Sequence, residues 1–244
     1  MFRSNNPVIS KFENTVDFVN VEATYQGVST KVALLVLVAV LAATSVYFGF
    51  LPNSLFNFAL VMSGFGGTLC VLLGMIFPTV AKFTSWIYSF CEGVLIGVLC
   101  YLGEQYVPGI SIMAISITAT IFISMLILYS SKIVIVTSKF KRIFMTVFFS
   151  MFISSLILTL VHYFSNGALT GFVDSYGFTL VVSVLYTALA SVMLFMDFER
   201  IRFAVNNRID KKYEWVLALG LMITLIWLFV EVFKLILIVA QRDN

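Results

Sequence analysis

Charged residues are scarce in this chain. Only 11% of its 244 residues are Asp, Glu, Lys or Arg, whereas 61% are hydrophobic. A soluble domain carries about 25% charged residues and could not hide this much apolar surface from water. The composition therefore excludes an ordinary soluble globular protein and predicts that lipid surrounds most of the chain. The net charge of +3 is too small to indicate nucleic-acid binding.

Chemically reactive residues are also few. The single histidine, His162, and the three cysteines lie in or near apolar runs and lack the spacing of a metal or redox pair. The sequence has no phosphate-binding loop, no HExxH motif and no GxSxG motif. We therefore expect neither an enzyme nor a resident metal or organic cofactor.

Seven apolar runs have about the 20 residues that a helix needs to cross the hydrocarbon core. The four prolines lie in the N-terminal tail and in short connections, as expected of a residue that interrupts helices. We expect an all-α, polytopic membrane bundle with a cytoplasmic segment 1–31, a transmembrane domain 32–238 and a tail 239–244. The predicted spans are Val32–Phe50, Leu55–Phe77, Thr84–Leu102, Gly109–Ser130, Arg142–Phe164, Tyr176–Met196 and Trp215–Ile238.

The lysines and arginines predict the direction of the spans. Thirteen of the 15 lie in the N-terminal segment or beside the connections after spans two, four and six; the others are Lys234 and Arg242. Because cytoplasmic loops are rich in Lys and Arg, we expect a cytoplasmic N-terminus in a protein of the cell membrane. Seven crossings place the C-terminal tail outside, whereas one re-entrant segment would leave it in the cytoplasm.

Three carboxylates, Glu92, Asp197 and Glu231, interrupt or end the apolar runs. An ionised group in hydrocarbon costs roughly 2.5–3.5 kcal/mol on insertion scales, so such groups usually serve a pathway or a partner. Glu92 shares one helix face with Tyr88 and Ser89, and this polar face should point into the bundle. The alternative is a protonated Glu92 that only hydrogen-bonds a neighbouring helix.

Asp197 ends a stripe of small and polar residues on span six. Ser183 and Thr187 belong to this stripe, which is typical of a wet crevice or of a close helix contact. The alternative is a solvated carboxylate beside Arg200 at the cytoplasmic end of the helix.

Glu231 lies deep in span seven, on a face that also carries Thr224 and Lys234. Its position favours a role in an ion or proton pathway. The alternative is a pair with Lys234 at the i, i+3 spacing, in which the lysine reaches outward to water.

The chain resembles the bacterial branch of the Bax inhibitor-1 family over essentially its whole length. The C-terminal motifs are the most specific, and an aromatic-x-x-x-Glu-Gly pattern in span three supports them. The stretches that carry the resemblance are Asn6–Val8, Tyr88–Gly97, Tyr106–Ile110, Asp197–Ile201, Glu214–Trp215 and Thr224–Glu231.

The resemblance implies a seven-helix bundle whose last helix is surrounded by the other six, and a pH-sensitive calcium leak. In this family a carboxylate pair from helices six and seven shares protons and controls opening. By motif the pair falls on Asp197 and Glu231, where Glu replaces the usual Asp. Ionised, the two acids could also coordinate Ca²⁺.

The distance between these two acids raises a difficulty. At 1.5 Å per residue Glu231 lies roughly 24 Å above Trp215, whereas Asp197 is expected near the cytoplasmic level. A direct pair requires span six to end deeper in the membrane, or residues near 203–215 to lie along its surface. Otherwise the acids are successive stations of one path, with Glu92 between them.

Three functions remain at this point. The leading hypothesis is a cation leak, for calcium or another cation, that opens when buried carboxylates are protonated. The second is a non-transporting regulator that binds a membrane protease or another membrane protein. The third is a proton-coupled carrier of a small solute, although the inverted repeats and broken helices that would support it are not evident.

Overall fold

The structure is a computed structural model that describes residues 22–50, 66–134, 136–164 and 175–240, with isolated positions between 51 and 65. Within these ranges the chain forms seven α-helices and no strand beyond a single bridge between Glu22 and Asp210. The predicted all-α bundle is confirmed. The helices are α1 (Tyr25–Tyr47), α2 (Gly67–Ile76), α3 (Ala81–Tyr106), α4 (Ile110–Ser130), α5 (Ser138–Phe164), α6 (Tyr176–Asn206) and α7 (Tyr213–Ala240).

Six of the described helices are long and apolar enough to cross a membrane. The seventh, α2, has 10 described residues, and much of the predicted run Leu55–Phe77 lies outside the described residues. The starts of α1, α3 and α7 meet, because Lys31 contacts both Glu214 and Trp215, and Trp86 lies against Trp215. We call this end, which also holds the connection 207–212, the basic end.

Helix α7 is the centre of the bundle. It packs against α1, α2, α3, α4 and α6, and it is the most buried of the six long helices. A helix that is apolar on all sides is stable only when neighbours or lipid cover every face. Helix α5 is the least buried, and it approaches α7 through Phe148, whose ring centroid lies 5.7 Å from that of Trp227. The expected central position of the last helix is confirmed.

Five helices extend beyond the predicted spans, and α1 and α6 extend furthest. Helix α1 begins at Tyr25, where the hydroxyl of Thr24 accepts the Gly27 N–H at 2.9 Å and caps the helix. Helix α6 continues past Met196 to Asn206, so Asp197 lies inside the helix and not at its end. A span predicted from hydropathy stops at the first charges, whereas a helix continues through charged residues that favour helix and find partners.

Two glycines allow α1 and α3 to pack closely. Gly93 and Gly97 on α3 lie against the backbone of Ala39 and Ala43 on α1, and a Cβ added to Gly93 would be 2.5 Å from the Ala39 carbonyl oxygen. Small residues at a spacing of four allow such contacts in membranes, where close packing replaces the hydrophobic effect between helices. We call this contact of Gly93 and Gly97 with Ala39 and Ala43 the α1–α3 seam. It makes α1 and α3 one side of the bundle.

Candidate functional site

Asp197 joins α6 to α7. Its side chain is buried, with a residue exposure of 3%, and the Thr224 hydroxyl of α7 donates to its Oδ2 at 2.5 Å. Arg200 Nη1 donates to its Oδ1 at 3.0 Å. Oδ2 thus binds α7 through Thr224, and Oδ1 binds the Arg200 guanidinium, one turn further along α6. A buried charge needs such partners, since an unpaired one is costly outside water.

Arg200 also lines a cavity at the basic end. The cavity has a volume of about 410 Å³ and lies between α5, α6 and α7. The Arg200 side chain is 46% exposed, whereas that of Asp197 is 4% exposed. Arg200 therefore contacts both the buried carboxylate and the open cavity. The lining residues include Lys141, Glu199, Arg200, Phe203, Tyr213 and Leu217.

Glu231 has its own partners on α7. Its side chain is buried, Trp227 Nε1 donates to Oε1 at 3.2 Å, and Lys234 Nζ donates to the same oxygen at 2.8 Å. This is the i, i+3 pair that the spacing allowed. Thr224 marks the level of Asp197, and Glu231 lies seven residues, or roughly 10 Å, further along the axis of α7.

The two acids are therefore not paired directly. In the described part of the chain no hydrogen bond or ion pair joins Asp197 to Glu231, and no three His, Cys, Asp or Glu side chains gather there as a metal site would need. A Ca²⁺ ion takes about six to eight oxygen ligands at roughly 2.3–2.6 Å. Carboxylates at these two levels are too far apart to bind one such ion together.

Ser89 and Glu92 belong to the α1–α3 side of the bundle. Ser89 is fully buried and donates its hydroxyl to the Leu35 carbonyl of α1. Glu92 is partly buried, and among the described residues it has neither a hydrogen bond nor an ion pair. The polar face of α3 thus faces inward as predicted, but the structure does not bring Glu92 into contact with Asp197 or Glu231.

Thr187 of the predicted stripe on α6, and Ser191 beside the stripe, turn their hydroxyls toward the backbone of their own helix. Thr187 donates to the Ser183 carbonyl at 2.8 Å, and Ser191 donates to the Thr187 carbonyl at 2.7 Å. The Ser183 hydroxyl is buried and has no hydrogen-bond partner in the described part of the chain. The stripe therefore supplies polar groups on the same helix that carries Asp197.

Comparison with known proteins identifies the family. Residues 6–241 match the family model described as Bax inhibitor 1 like. The chain belongs to the Bax inhibitor 1 like family. No curated protein matches the chain. Membership confirms the resemblance noted in the motifs and agrees with a multi-pass membrane protein.

In this Bax inhibitor 1 like protein, a third buried acid was not predicted as a site residue. Glu214, in the first turn of α7, is fully buried and forms an ion pair with Lys31 of α1. The Thr24 N–H also donates to Glu214 at 2.9 Å. A Cβ on Gly27 would overlap this carboxylate. The signal in the sequence was a lysine and a glutamate near the starts of two helices that both begin at the basic end.

The segment before α1 also contacts the connection between α6 and α7. The Ala23 N–H donates to the Ile209 carbonyl at 2.8 Å, and Arg208 lies 3.7 Å from the Glu22 carboxylate. The Lys212 N–H donates to Asp210 and so lowers the pKa of that carboxyl from its ordinary value. These contacts hold the ends of α1, α6 and α7 together next to the cavity.

Proposed function

We propose that this protein is a cation leak pathway of the cell membrane that responds to protonation of Asp197. One observation carries the proposal: a buried carboxylate is held jointly by a hydroxyl on the central helix and by an arginine that lines an open cavity. Because the basic end carries the excess of Lys and Arg, the cavity faces the cytoplasm and the N-terminus lies there as well.

The ionised form of Asp197 favours the closed arrangement. It accepts charge-assisted hydrogen bonds, which are stronger than those between neutral groups. Its attraction keeps the Arg200 guanidinium at the inner end of the cavity, where a fixed positive charge repels an entering cation. The same carboxylate holds α6 against α7 through Thr224.

A proton on Asp197 weakens both contacts. The neutral acid no longer attracts Arg200, whose side chain already reaches the cavity and can move outward to water. The Thr224 contact changes as well, because a protonated carboxyl group is itself a donor. If the helices have two arrangements, protonation shifts their populations toward the one in which Asp197 no longer joins α6 to α7.

Glu231 is the second cation-binding position of the proposed path. It offers a carboxylate about two helical turns beyond Thr224, and Lys234, with 52% of its side chain exposed, neutralises it in the closed arrangement. A cation that displaces the lysine would find hard oxygen ligands, which calcium prefers. Glu92 stays a third candidate on α3, without a contact to the other two acids.

Calcium flux into liposomes tests this proposal. The purified full-length protein is reconstituted around a trapped calcium indicator, and flux is measured over a range of pH. We expect flux to increase as pH falls, and we expect Asp197→Asn, which cannot ionise, to conduct at every pH. Asp210→Asn, an exposed acid in the α6–α7 connection, is the control and should behave as wild type. An unchanged pH response in Asp197→Asn would remove this residue from gating.

One observation favours a second candidate, a regulator that binds another membrane protein. Helix α5 contributes little to the bundle and exposes a row of large apolar side chains, among them Phe149, Phe152, Ile153 and Leu156. A membrane protease or another helical protein could cover this face as well as lipid does. A stoichiometric partner on purification, together with no flux in pure liposomes at any pH, would favour this function over the leak.

A further inference from the structure

The cavity at the basic end combines two cations with apolar walls. Lys141 reaches it from the first turn of α5, and Arg200 reaches it from α6. The remaining walls are mainly apolar, with Phe203 on α6 and Leu217 on α7. Cavities that bind amphipathic molecules have this composition: a few polar groups fix the head, and apolar side chains cover the rest.

The carboxylate on the cavity wall, that of Glu199, already has partners. Glu199 accepts the Tyr129 hydroxyl at 2.7 Å and lies 3.5 Å from Arg202, so its charge is shared with two groups that do not line the cavity. Lys141 is exposed and forms no ion pair within the described residues. Arg200 shares one nitrogen with Asp197, and nearly half of its side chain stays exposed. On the walls of the cavity the two cations, Lys141 and Arg200, therefore outnumber the single carboxylate of Glu199.

We propose that this cavity binds the phosphate of an anionic phospholipid between Lys141 and Arg200. A guanidinium and an ammonium from two helices match the charge and the acceptor oxygens of a phosphodiester. Basic pockets between spanning helices bind such head groups on the cytoplasmic side. The apolar walls next to the cations would cover the glycerol and the first part of the acyl chains.

Two features favour a lipid over a free phosphate. Helix α5 is the least buried of the long helices, so one wall of the cavity borders the membrane. Phe203, which lines the cavity, is 60% exposed. A free phosphate would gain nothing from these apolar surfaces, whereas a phospholipid would bury apolar area on them. The binding itself does not depend on the leak, so the site can be tested in a protein that conducts nothing.

Retention of lipid by the purified full-length protein tests the proposal. The protein in neutral detergent is mixed with phosphatidylglycerol or phosphatidylcholine, and bound lipid is counted by native mass spectrometry. We expect phosphatidylglycerol to bind in preference, and we expect Lys141→Gln to weaken its binding roughly fivefold, as the loss of one cation near a lipid surface does. Lys141→Arg, which keeps the charge, should bind as wild type.

Lys139→Gln is the matched control. It removes the same charge two residues earlier in α5, where a helical side chain points away from the direction of Lys141. Equal losses in Lys139→Gln and Lys141→Gln would show general attraction to a basic surface and would overturn the site. No loss in Lys141→Gln would overturn it too. Displacement of the lipid by inorganic phosphate at comparable concentration would show that the cavity takes free phosphate instead.

Discussion

Thr224 of α7 donates its hydroxyl to Asp197 of α6 across 2.5 Å, and the two residues are separated by 27 positions in the chain. Where the family resemblance implies two acids that share a proton, this protein places an acid opposite a hydroxyl. The nearest acid that the motifs suggested on α7, Glu231, lies roughly 10 Å further along the helix. The side-chain contact that joins α6 to α7 therefore depends on one carboxylate, that of Asp197.

A single carboxylate should titrate as a single site. Coupled acids lose their protons in two steps that belong to the pair, whereas an acid that faces a hydroxyl releases one proton in one step. We expect calcium flux in liposomes to follow pH with the slope of one proton. Glu231→Gln should leave this slope unchanged, even if it lowers the flux. A steeper response that becomes shallow in Glu231→Gln would show that the two acids are coupled after all.

Removing the Thr224 hydroxyl should destabilise the bundle. Thr224→Val keeps the shape of the side chain but leaves the buried Asp197 without its donor from α7, which should cost about 1.5–3 kcal/mol as for hydrogen bonds to charged groups. Unfolding by denaturant in mixed micelles measures this loss. Because a neutral Asp197 needs the donor less, the deficit should be smaller at low pH.

Thr187→Val is the control for this measurement. Its hydroxyl donates to the Ser183 carbonyl of its own helix, so its loss leaves no charge without a partner. We expect a change below about 0.5 kcal/mol, as for substitutions away from buried polar networks. Equal effects of the two variants would mean that the contact between Thr224 and Asp197 contributes nothing specific.

The fold could be predicted because hydropathy and helix length are local properties. Each predicted span overlaps a described helix, whereas the central position of α7 was implied by the family resemblance and not by hydropathy. The helix ends were less accurate, because charged residues can continue a helix once tertiary contacts satisfy them. Lys31 is an example: its charge suggested that it belongs to the N-terminal tail. It lies inside α1, where it forms an ion pair with Glu214 of α7.

The site was only partly predictable for a different reason. The spacing on α6 and α7 marked Asp197, Thr224 and Glu231 as candidate site residues, but the register between two helices depends on packing along their whole length. A shift of two turns decides whether Asp197 meets Thr224 or Glu231, and no single-helix pattern contains that information. The Glu214–Lys31 pair could not be predicted, because 183 positions separate its members in the chain.

The buried pair of Lys31 and Glu214 should be among the most sensitive points of the structure. Lys31→Met leaves the fully buried Glu214 carboxylate with Thr24 as its remaining donor, and breaking a buried ion pair typically costs about 3–5 kcal/mol. We expect a large loss of folded protein in detergent, measured by size-exclusion chromatography after heating. Lys212→Met, which breaks the exposed pair with Asp210, should cost less than about 1 kcal/mol. Similar heat stability of the two variants would contradict this assignment.

The α1–α3 seam should not tolerate a methyl group. Gly93→Ala places a Cβ 2.5 Å from the Ala39 carbonyl oxygen, so the helices must separate, and overpacking of this kind costs about 1–3 kcal/mol. Gly220→Ala in α7 meets no atom within 4 Å and should be neutral or slightly stabilising. Denaturant midpoints of the two variants measure the difference. If Gly93→Ala is as stable as Gly220→Ala, the seam is looser than the structure shows.

Glu231 and Lys234 allow structure and transport to be separated. Lys234→Met leaves a buried carboxylate with only the Trp227 N–H as donor, and because the lysine is half exposed we expect a moderate loss of about 1–2 kcal/mol. Glu231→Gln removes the charge and keeps the acceptor for Trp227. The double variant should therefore be more stable than Lys234→Met alone, and a double-mutant cycle in denaturant measures this coupling.

The same three variants decide whether Glu231 lies on the proposed path. If it is a station for cations, Glu231→Gln should reduce calcium flux at low pH while it leaves stability nearly unchanged. Lys234→Met should raise flux, because the carboxylate then lacks the cation that competes with calcium for its oxygens. If calcium flux changes across the variants only as much as their stability does, Glu231 and Lys234 have a structural role alone, in which they hold Trp227 and α7 in place.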